Sequence, residues 1–220
     1  MNSVFSCAAI LFDLDGVLVD SAACVERTWR HWAEQNGLDQ SRVIAEAHGR
    51  RTIETVQRVA PHLAAPSEVV ALAQSESSTT EGVFEVPGAR ELLAPLPLHL
   101  WAIVTSGVRA VATLRIRHTG LPMPRVLVCA DDIARGKPDP EGYLTAAQRL
   151  GVTPEDCVVI EDAPAGLKAA RAAGMRAIAI SGTYAPAALT SADRVVTRLD
   201  NLSVVLRNTG DPMEIRVRPA

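Results

Sequence analysis

The chain has 220 residues, of which 48% are hydrophobic and only 4% are aromatic, and its formal net charge at pH 7 is −3. This length suffices for one sizeable core, or for a core with a small inserted domain. The slightly acidic balance argues against nucleic acid or an anionic membrane as the main partner, and no apolar run approaches the ~20 residues that span a bilayer. We expect a cytoplasmic protein, monomeric or weakly dimeric, whose four scattered cysteines form no disulfide framework.

The first informative stretch covers residues 8–21, in which a short apolar run ends in two aspartates. The run 8–12 has the length of a strand that is buried on both faces. Asp13 and Asp15 follow this run, and Gly16 comes next. In an open parallel sheet, ligands bind beyond the carboxyl ends of the strands, and a hard divalent cation such as Mg2+ stabilises two neighbouring carboxylates. The alternative is that both acids merely open a turn, so the later motifs must decide.

A block of helical patterns follows, with Ser21 as a plausible N-cap. Trp29 and Trp32 have helical spacing and are expected in a core. An all-helical block between the first strand and a strand-rich region indicates an inserted cap domain. We therefore predict a helical cap over residues 18–83 and an α/β core over residues 1–17 and 84–220. The helical patterns cover residues 22–36, 41–48, 52–60 and 67–78.

From Pro87 onward, apolar strands alternate with helices. This alternation predicts an α/β fold with a doubly wound parallel sheet and right-handed crossovers. The segment from Asn208 onward carries no informative pattern and is expected to be frayed. The predicted strands cover residues 98–104, 126–129, 157–160, 177–180 and 195–196, and the predicted helices cover residues 89–94, 108–119, 140–150 and 163–173.

Polar groups recur where these predicted strands end, or soon after. Because the ends of parallel strands share one edge of the sheet, these groups should converge. Acids could hold a metal, a hydroxyl with backbone donors could hold an anion, and a lysine could neutralise it. That inventory fits phosphoryl transfer, although each motif alone is equally explained as a helix cap or a solvated charge. The groups are Asp13, Asp15, Thr105, Ser106, Lys137, Glu161 and Asp162.

Four motifs in order resemble those of the haloacid dehalogenase superfamily, in its phosphatase branch with a helical cap inserted after the first strand. The resemblance implies a Rossmann-like core and a Mg2+-dependent phosphatase that works through an aspartyl-phosphate intermediate. It makes Asp13 the nucleophile and a metal ligand. It makes Asp15 the general acid and base, with its backbone carbonyl on the metal, and it pairs Lys137 with Asp13 and the phosphate. The motifs cover residues 13–18, 104–107, 136–140 and 159–166.

The same resemblance assigns the remaining contacts. Ser106, or else Thr105 beside it, would hold the phosphoryl oxygens together with the Gly107 amide, with Ser106 as the preferred position. Asp162 would be a metal ligand, and Glu161 would orient the metal shell. Thr105 and Ser106 remain alternatives at this turn, because both hydroxyls are available.

Three observations narrow the type of reaction that the chain is expected to catalyse. Asp15 favours phosphoryl transfer over dehalogenation, because dehalogenation needs no acid two residues after the nucleophile. The block 22–80 contains no lysine, which excludes a phosphonate hydrolase that forms a Schiff base there. A sugar phosphomutase is the nearer rival, but it would carry a cap histidine around residues 24–25, where this chain has none. His31 or His48 could be invoked instead.

The chain most resembles phosphatases of small sugar and polyol phosphates. His48, Arg50 and Glu81 are the candidate contacts to the hydroxyl groups of such a substrate. The alternative is a helix end with solvated arginines. A third possibility is a non-catalytic domain that binds a phosphorylated metabolite, which phosphate release with Mg2+ would separate from an enzyme.

Overall fold

The computed structural model describes residues 3–206 and 212–218. Its strands are β1 (Ser3–Cys7), β2 (Ala9–Phe12), β3 (Val19–Asp20), β4 (Phe84–Glu85), β5 (Trp101–Val104), β6 (Val126–Val128), β7 (Cys157–Glu161), β8 (Arg176–Ile180), β9 (Arg194–Val196), β10 (Leu202–Val205) and β11 (Met213–Val217). Its α-helices are α1 (Ala22–Gln35), α2 (Gln40–Ala47), α3 (Thr52–Val59), α4 (Pro66–Ser77), α5 (Ala89–Leu93), α6 (Arg109–Thr119), α7 (Glu141–Leu150) and α8 (Pro164–Ala172).

A six-stranded parallel sheet organises the molecule, in the order β6-β5-β2-β7-β8-β9. The predicted α/β fold with a doubly wound parallel sheet is thereby confirmed. The central strand β2 pairs with β5 on one side and β7 on the other, so that Leu11 lies opposite both Ala102 and Val159. The strand predicted from residue 98 begins only at Trp101, since Leu98 is exposed at the preceding turn.

Both faces of this sheet are covered, which explains the uninterrupted apolar run of β2. Ile10 and Phe12 pack into one core cluster with residues of α5 and α6. Ala9 and Leu11 pack into the second cluster, which includes residues of α7 and α8. Alternating side chains of a strand point to opposite faces, so a strand between two helical layers must be apolar at every position.

Helices α1 to α4 have an apolar cluster of their own. Trp29 and Trp32 are both buried in it, in edge-to-face contact with 5.5 Å between their ring centroids. The expectation that both tryptophans belong to a core is confirmed. The short antiparallel pair of β3 and β4 brackets the four helices, with Val19 opposite Glu85. The exact division into a cap (18–83) and a core remains a prediction.

A small antiparallel sheet, in the order β1-β11-β10, was not predicted. Asn208 lies outside the described residues, but Met213–Val217 beyond it forms the middle strand of this sheet. The expectation of a frayed terminus is therefore wrong for β11. Buried Met213, Ile215 and Val217 alternate with polar residues, a strand pattern that is weak over only five positions.

Two expectations about the chain as a whole can be compared with the structure. The four cysteines are unpaired, as predicted, and all of them are buried: Cys7, Cys24, Cys129 and Cys157. Within residues 3–206 and 212–218, no helix is long and apolar enough to cross a bilayer.

Candidate active site

Three neighbouring strands deliver acidic and polar side chains to one edge of the parallel sheet. Asp13 directly follows β2, Thr105 directly follows β5, and Glu161 is the last residue of β7. Lys137 reaches the same place from the loop between β6 and α7. Its Nζ lies 2.6 Å from Asp13 Oδ1 and 2.6 Å from Glu161 Oε1. The structure thus brings these four predicted residues together.

The Lys137 ammonium is buried and donates to three acceptors. Besides the two carboxylates, it donates to the Val104 carbonyl at 3.3 Å. Burial alone would lower its pKa, but Asp13 and Glu161 outweigh burial and hold the pKa well above its usual range. Lys137 is therefore a fixed positive charge at the site. A buried charge of this kind is stable only because it is paired and hydrogen-bonded.

Glu161 is held in place on both of its oxygens. Oε1 accepts from the Tyr143 hydroxyl at 3.1 Å as well as from Lys137. Oε2 accepts from the backbone N–H groups of Asp162 and Ala163, both at 2.8 Å. Tyr143 was not singled out from the sequence, because an aromatic residue on a predicted helix is usually interpreted as a residue of the hydrophobic core.

Three buried carboxylates form a group that fits a divalent cation. Asp13, Glu161 and Asp162 each offer an oxygen, and these atoms lie within 4.8 Å of one another. Burial, opposed by Lys137 and reinforced by Glu161, raises the pKa of Asp13 to about 7. Burial and the neighbouring acids also raise the pKa of Asp162 well above its usual range. A hard cation with oxygen ligands would relieve this repulsion, so the donor set suits an ion such as Mg2+.

Gly16 allows the backbone after the two aspartates to approach Asp162. Its φ is +84°, and a Cβ built there would lie 2.0 Å from Asp162 Oδ2. Any other residue would be strained and would collide with a carboxylate of the predicted metal site. The close approach to Asp162 therefore requires a glycine at this position of the first motif.

The Asp15 carboxylate lies in a separate network. Its Oδ1 accepts from Ser21 Oγ at 2.6 Å and from Arg115 Nη1 at 2.7 Å. Ser21 occupies the N-cap position of α1 but makes no side-chain cap bond, so the interpretation of its hydroxyl as a cap is wrong. Arg115 was missed, because an arginine on an amphipathic helix usually reads as a solvated charge. The Asp15 carboxylate is not part of the three-acid group, and the predicted role of its backbone carbonyl remains a prediction.

The turn after β5 carries the predicted phosphate contacts. Thr105 Oγ1 accepts from the Gly107 N–H at 3.0 Å and lies 3.5 Å from Asp15 Oδ2. Ser106 Oγ donates to the Gly49 carbonyl at 3.1 Å. All three residues of this turn line the same pocket as Asp13 and Asp15. Thr105 is the hydroxyl nearer to the acids, and Ser106 instead joins the turn to the helical block.

The three candidate substrate contacts of the helical block differ in position. His48 and Arg50 line the pocket that contains Asp13, and Arg50 Nη1 also lies 3.0 Å from Glu46 Oε2. Glu81 is not brought to this pocket. Its side chain is 82% exposed and lies 3.7 Å from Arg27. The structure therefore does not support the predicted contact between Glu81 and a substrate.

Helix α3 is fastened to the loop that carries Lys137. Glu54 Oε1 accepts from the Gly136 N–H at 3.2 Å, and Arg51 Nη1 donates to the Ile133 carbonyl at 3.3 Å. Arg51 and Glu54 are themselves paired at 2.6 Å. The helical block therefore contacts the backbone immediately before Lys137, in addition to the contact of Gly49 with Ser106.

Comparison with known proteins agrees with this geometry. Residues 7–174 match the model of the haloacid dehalogenase-like hydrolases. The chain is 41% identical to hexitol phosphatase A of Escherichia coli K12 over 93% of this chain and 97% of that protein. It is 37% identical to glycerol-1-phosphate phosphohydrolase 2 of Saccharomyces cerevisiae over 80% of this chain and 75% of that protein.

A solved structure shows the same architecture. The crystal structure of a hydrolase from Pseudomonas syringae superposes with a TM-score of 0.77 and 28% sequence identity, covering 87% of this chain and 94% of that chain. Sequence motifs, fold and the convergence of acids at the sheet edge thus lead to one assignment. The chain belongs to the haloacid dehalogenase-like hydrolase family.

Proposed function

We propose that this protein is a phosphatase that depends on a divalent cation, with Mg2+ as the expected ion, and hydrolyses small sugar or polyol phosphates. The observation that carries the proposal is the buried contact of Asp13 with Lys137, in which Asp13 belongs to a group of three acids that suits a cation. The similarity to hexitol phosphatase A supports a polyol phosphate as the substrate.

The cation would be held by Asp13 and Asp162, with Glu161 orienting its surroundings. When bound, it would neutralise charge on the phosphoryl oxygens and fix their orientation. Lys137 supplies a second positive charge, directed at Asp13. Thr105 and the backbone of its turn would hold the remaining phosphoryl oxygens.

The reaction would proceed in two steps. The Asp13 carboxylate attacks phosphorus, and the bond between phosphorus and the ester oxygen breaks. Asp15 donates a proton to the leaving alcohol. Asp15 then takes a proton from water, which attacks the phosphoryl group on Asp13 and releases inorganic phosphate. The predicted cap would exclude bulk water during these steps.

Release of inorganic phosphate tests this function. With Mg2+, the protein should release phosphate from a panel of sugar and polyol phosphates, and a chelator should abolish the release. We expect Asp13→Asn to lower turnover by at least about a thousandfold, because an amide cannot attack phosphorus, while the isosteric change preserves the fold. Asp156→Asn, at the opposite end of β7, is the matched control and should retain full activity.

The outcomes also separate the alternatives. Turnover by Asp13→Asn at the rate of the unmodified protein would contradict a nucleophilic Asp13. A phosphomutase would interconvert isomers in the presence of a bisphosphate instead of liberating phosphate, and a sensor domain would bind phosphate esters without turnover. His31 is exposed on α1, which weakens its case as the histidine of a mutase, whereas His48 does line the pocket.

A further inference from the structure

A buried arginine in the wall of the pocket has unused hydrogen-bond donors. Arg115 lies on α6, and its side chain is 4% exposed. One of its nitrogens, Nη1, donates to Asp15. Among the described residues, neither Nε nor Nη2 has a hydrogen-bond partner. Because an unpaired donor that is buried is costly, such an arrangement calls for a partner that binds there.

An acid of the helical block lies close to one of these donors. Glu76 lies near the end of α4, and its side chain is 13% exposed. Its Oε2 lies 3.5 Å from Arg115 Nη2, which is longer than a normal hydrogen bond between these groups. A cationic donor and an anionic acceptor therefore form a long ion pair, one partner from the core and one from the helical block. Both line the pocket that contains Asp13 and Asp15.

A hydroxyl group that lies beside this ion pair can hydrogen-bond to both partners at once. Its oxygen can accept from Arg115 Nη2 while its hydrogen is donated to Glu76. A second phosphate or a carboxylate could accept from Arg115 but would have no proton to donate to Glu76, and an apolar chain would satisfy neither. The pair therefore matches the chemistry of an alcohol that is hydroxylated at carbons beyond the ester.

We propose that Arg115 and Glu76 form a hydroxyl-binding subsite that recognises the leaving alcohol of the phosphate ester. This inference rests on the proposed phosphatase function and deepens it, because it assigns selection for polyols to two named side chains. The competing interpretation is that the ion pair only holds α4 against α6. The two interpretations differ in whether the effect of a substitution depends on the substrate.

The experiment compares two esters, sorbitol 6-phosphate, which carries hydroxyls beyond the ester, and ethyl phosphate, which carries none. Glu76→Gln removes the charge but keeps the shape, and it leaves the contact of Arg115 with Asp15 in place. We expect it to lower kcat/KM for sorbitol 6-phosphate by about tenfold or more, mainly through KM, because a hydrogen bond to a charged group is weakened. For ethyl phosphate we expect a loss of less than about threefold, since no hydroxyl reaches the pair.

Glu34→Gln, an exposed change of the same kind on α1, is the matched control and should alter neither ester. If Glu76→Gln does not fold, Glu76→Asp is the second variant, because it retracts the carboxylate by one methylene. It should likewise lose more kcat/KM for sorbitol 6-phosphate than for ethyl phosphate. An equal loss on both esters, or no loss on either, would overturn the subsite. Absence of phosphate release by the unmodified protein from both esters would instead overturn the proposed function itself.

Discussion

Glycine at position 166 determines how the acids of the site are placed. A Cβ built on Gly166 would lie 1.6 Å from Glu161 Oε1. The backbone at the start of α8 therefore lies so close to this carboxylate that no side chain fits between them. Glu161 cannot retreat easily, because Lys137, Tyr143 and two backbone N–H groups hold it. The glycine in the last motif is therefore a packing requirement of the acid cluster rather than a feature of the helix.

Gly166→Ala tests this requirement, because we expect it to lower the unfolding free energy that the same substitution raises in an ordinary helix. In an ordinary helix, Gly→Ala stabilises by about 1 kcal/mol. Here we expect the free energy of unfolding to fall by about 1–3 kcal/mol, as for other overpacked sites, together with weaker binding of Mg2+. Urea unfolding and calorimetric titration with Mg2+ measure both effects.

Gly182→Ala provides the comparison, because a Cβ there meets nothing within 4 Å. It should change the unfolding free energy by no more than about 0.5 kcal/mol. A stabilised Gly166→Ala variant would show that Glu161 has room to move.

At the scale of elements, α3 acts on the loop that carries Lys137. Glu54 accepts from the Gly136 N–H, one residue before the lysine. Glu54→Ala removes this bond and the partner of Arg51. We expect faster hydrogen exchange at residues 133–136 and a KM that rises more than kcat falls, because the loop loses the Glu54 bond that joins it to the helical block. Exchange mass spectrometry with and without phosphate measures the first effect.

Glu46→Ala is the control for that variant. Glu46 pairs with Arg50 and Arg58, all three within the helical block, so its loss removes charge and ion pairs without touching the core. Exchange at residues 133–136 should stay unchanged. Equal acceleration in both variants would show that general loosening of the block, rather than the Glu54 bond, controls the loop.

Some elements of the fold could be predicted from the sequence and others could not. Strand β2 was predictable because it is buried on both faces and ends in an acid, two signals that coincide at one place. Strand β11 was not, since five alternating residues after a segment without pattern carry too little signal. Arg115 and Tyr143 escaped notice for another reason. Their roles depend on contacts with residues far away in the chain, to Asp15 and Glu161, which helical periodicity does not encode.

At the scale of the whole molecule, the buried acids make stability depend on pH and metal. The pKa of Asp13 is raised from 3.8 to about 7, so the folded chain without metal retains a proton that the unfolded chain releases. The unfolding free energy of the chelated protein should therefore fall as pH rises through about 4 to 7, by up to about 1.4 kcal/mol per pH unit for each such group. A divalent cation held by these residues would bind their ionised form, so we expect the stabilising effect of added Mg2+ to grow over the same interval.

Urea unfolding in a chelator and in Mg2+, at several pH values between about 5 and 7, measures this dependence. Asp13→Asn removes one titrating group and should flatten the curve of the chelated protein. A chelated protein whose stability rises with pH in this range would contradict the account.

The arrangement of β1, β11 and β10 has a consequence for biosynthesis. The amino-terminal strand hydrogen-bonds to Met213–Val217, the last described strand to leave the ribosome. Until β11 has been synthesised, β1 lacks this strand partner, and an unpaired strand edge can associate with other nascent chains. Closure of that edge therefore has to await the emergence of β11 from the ribosome.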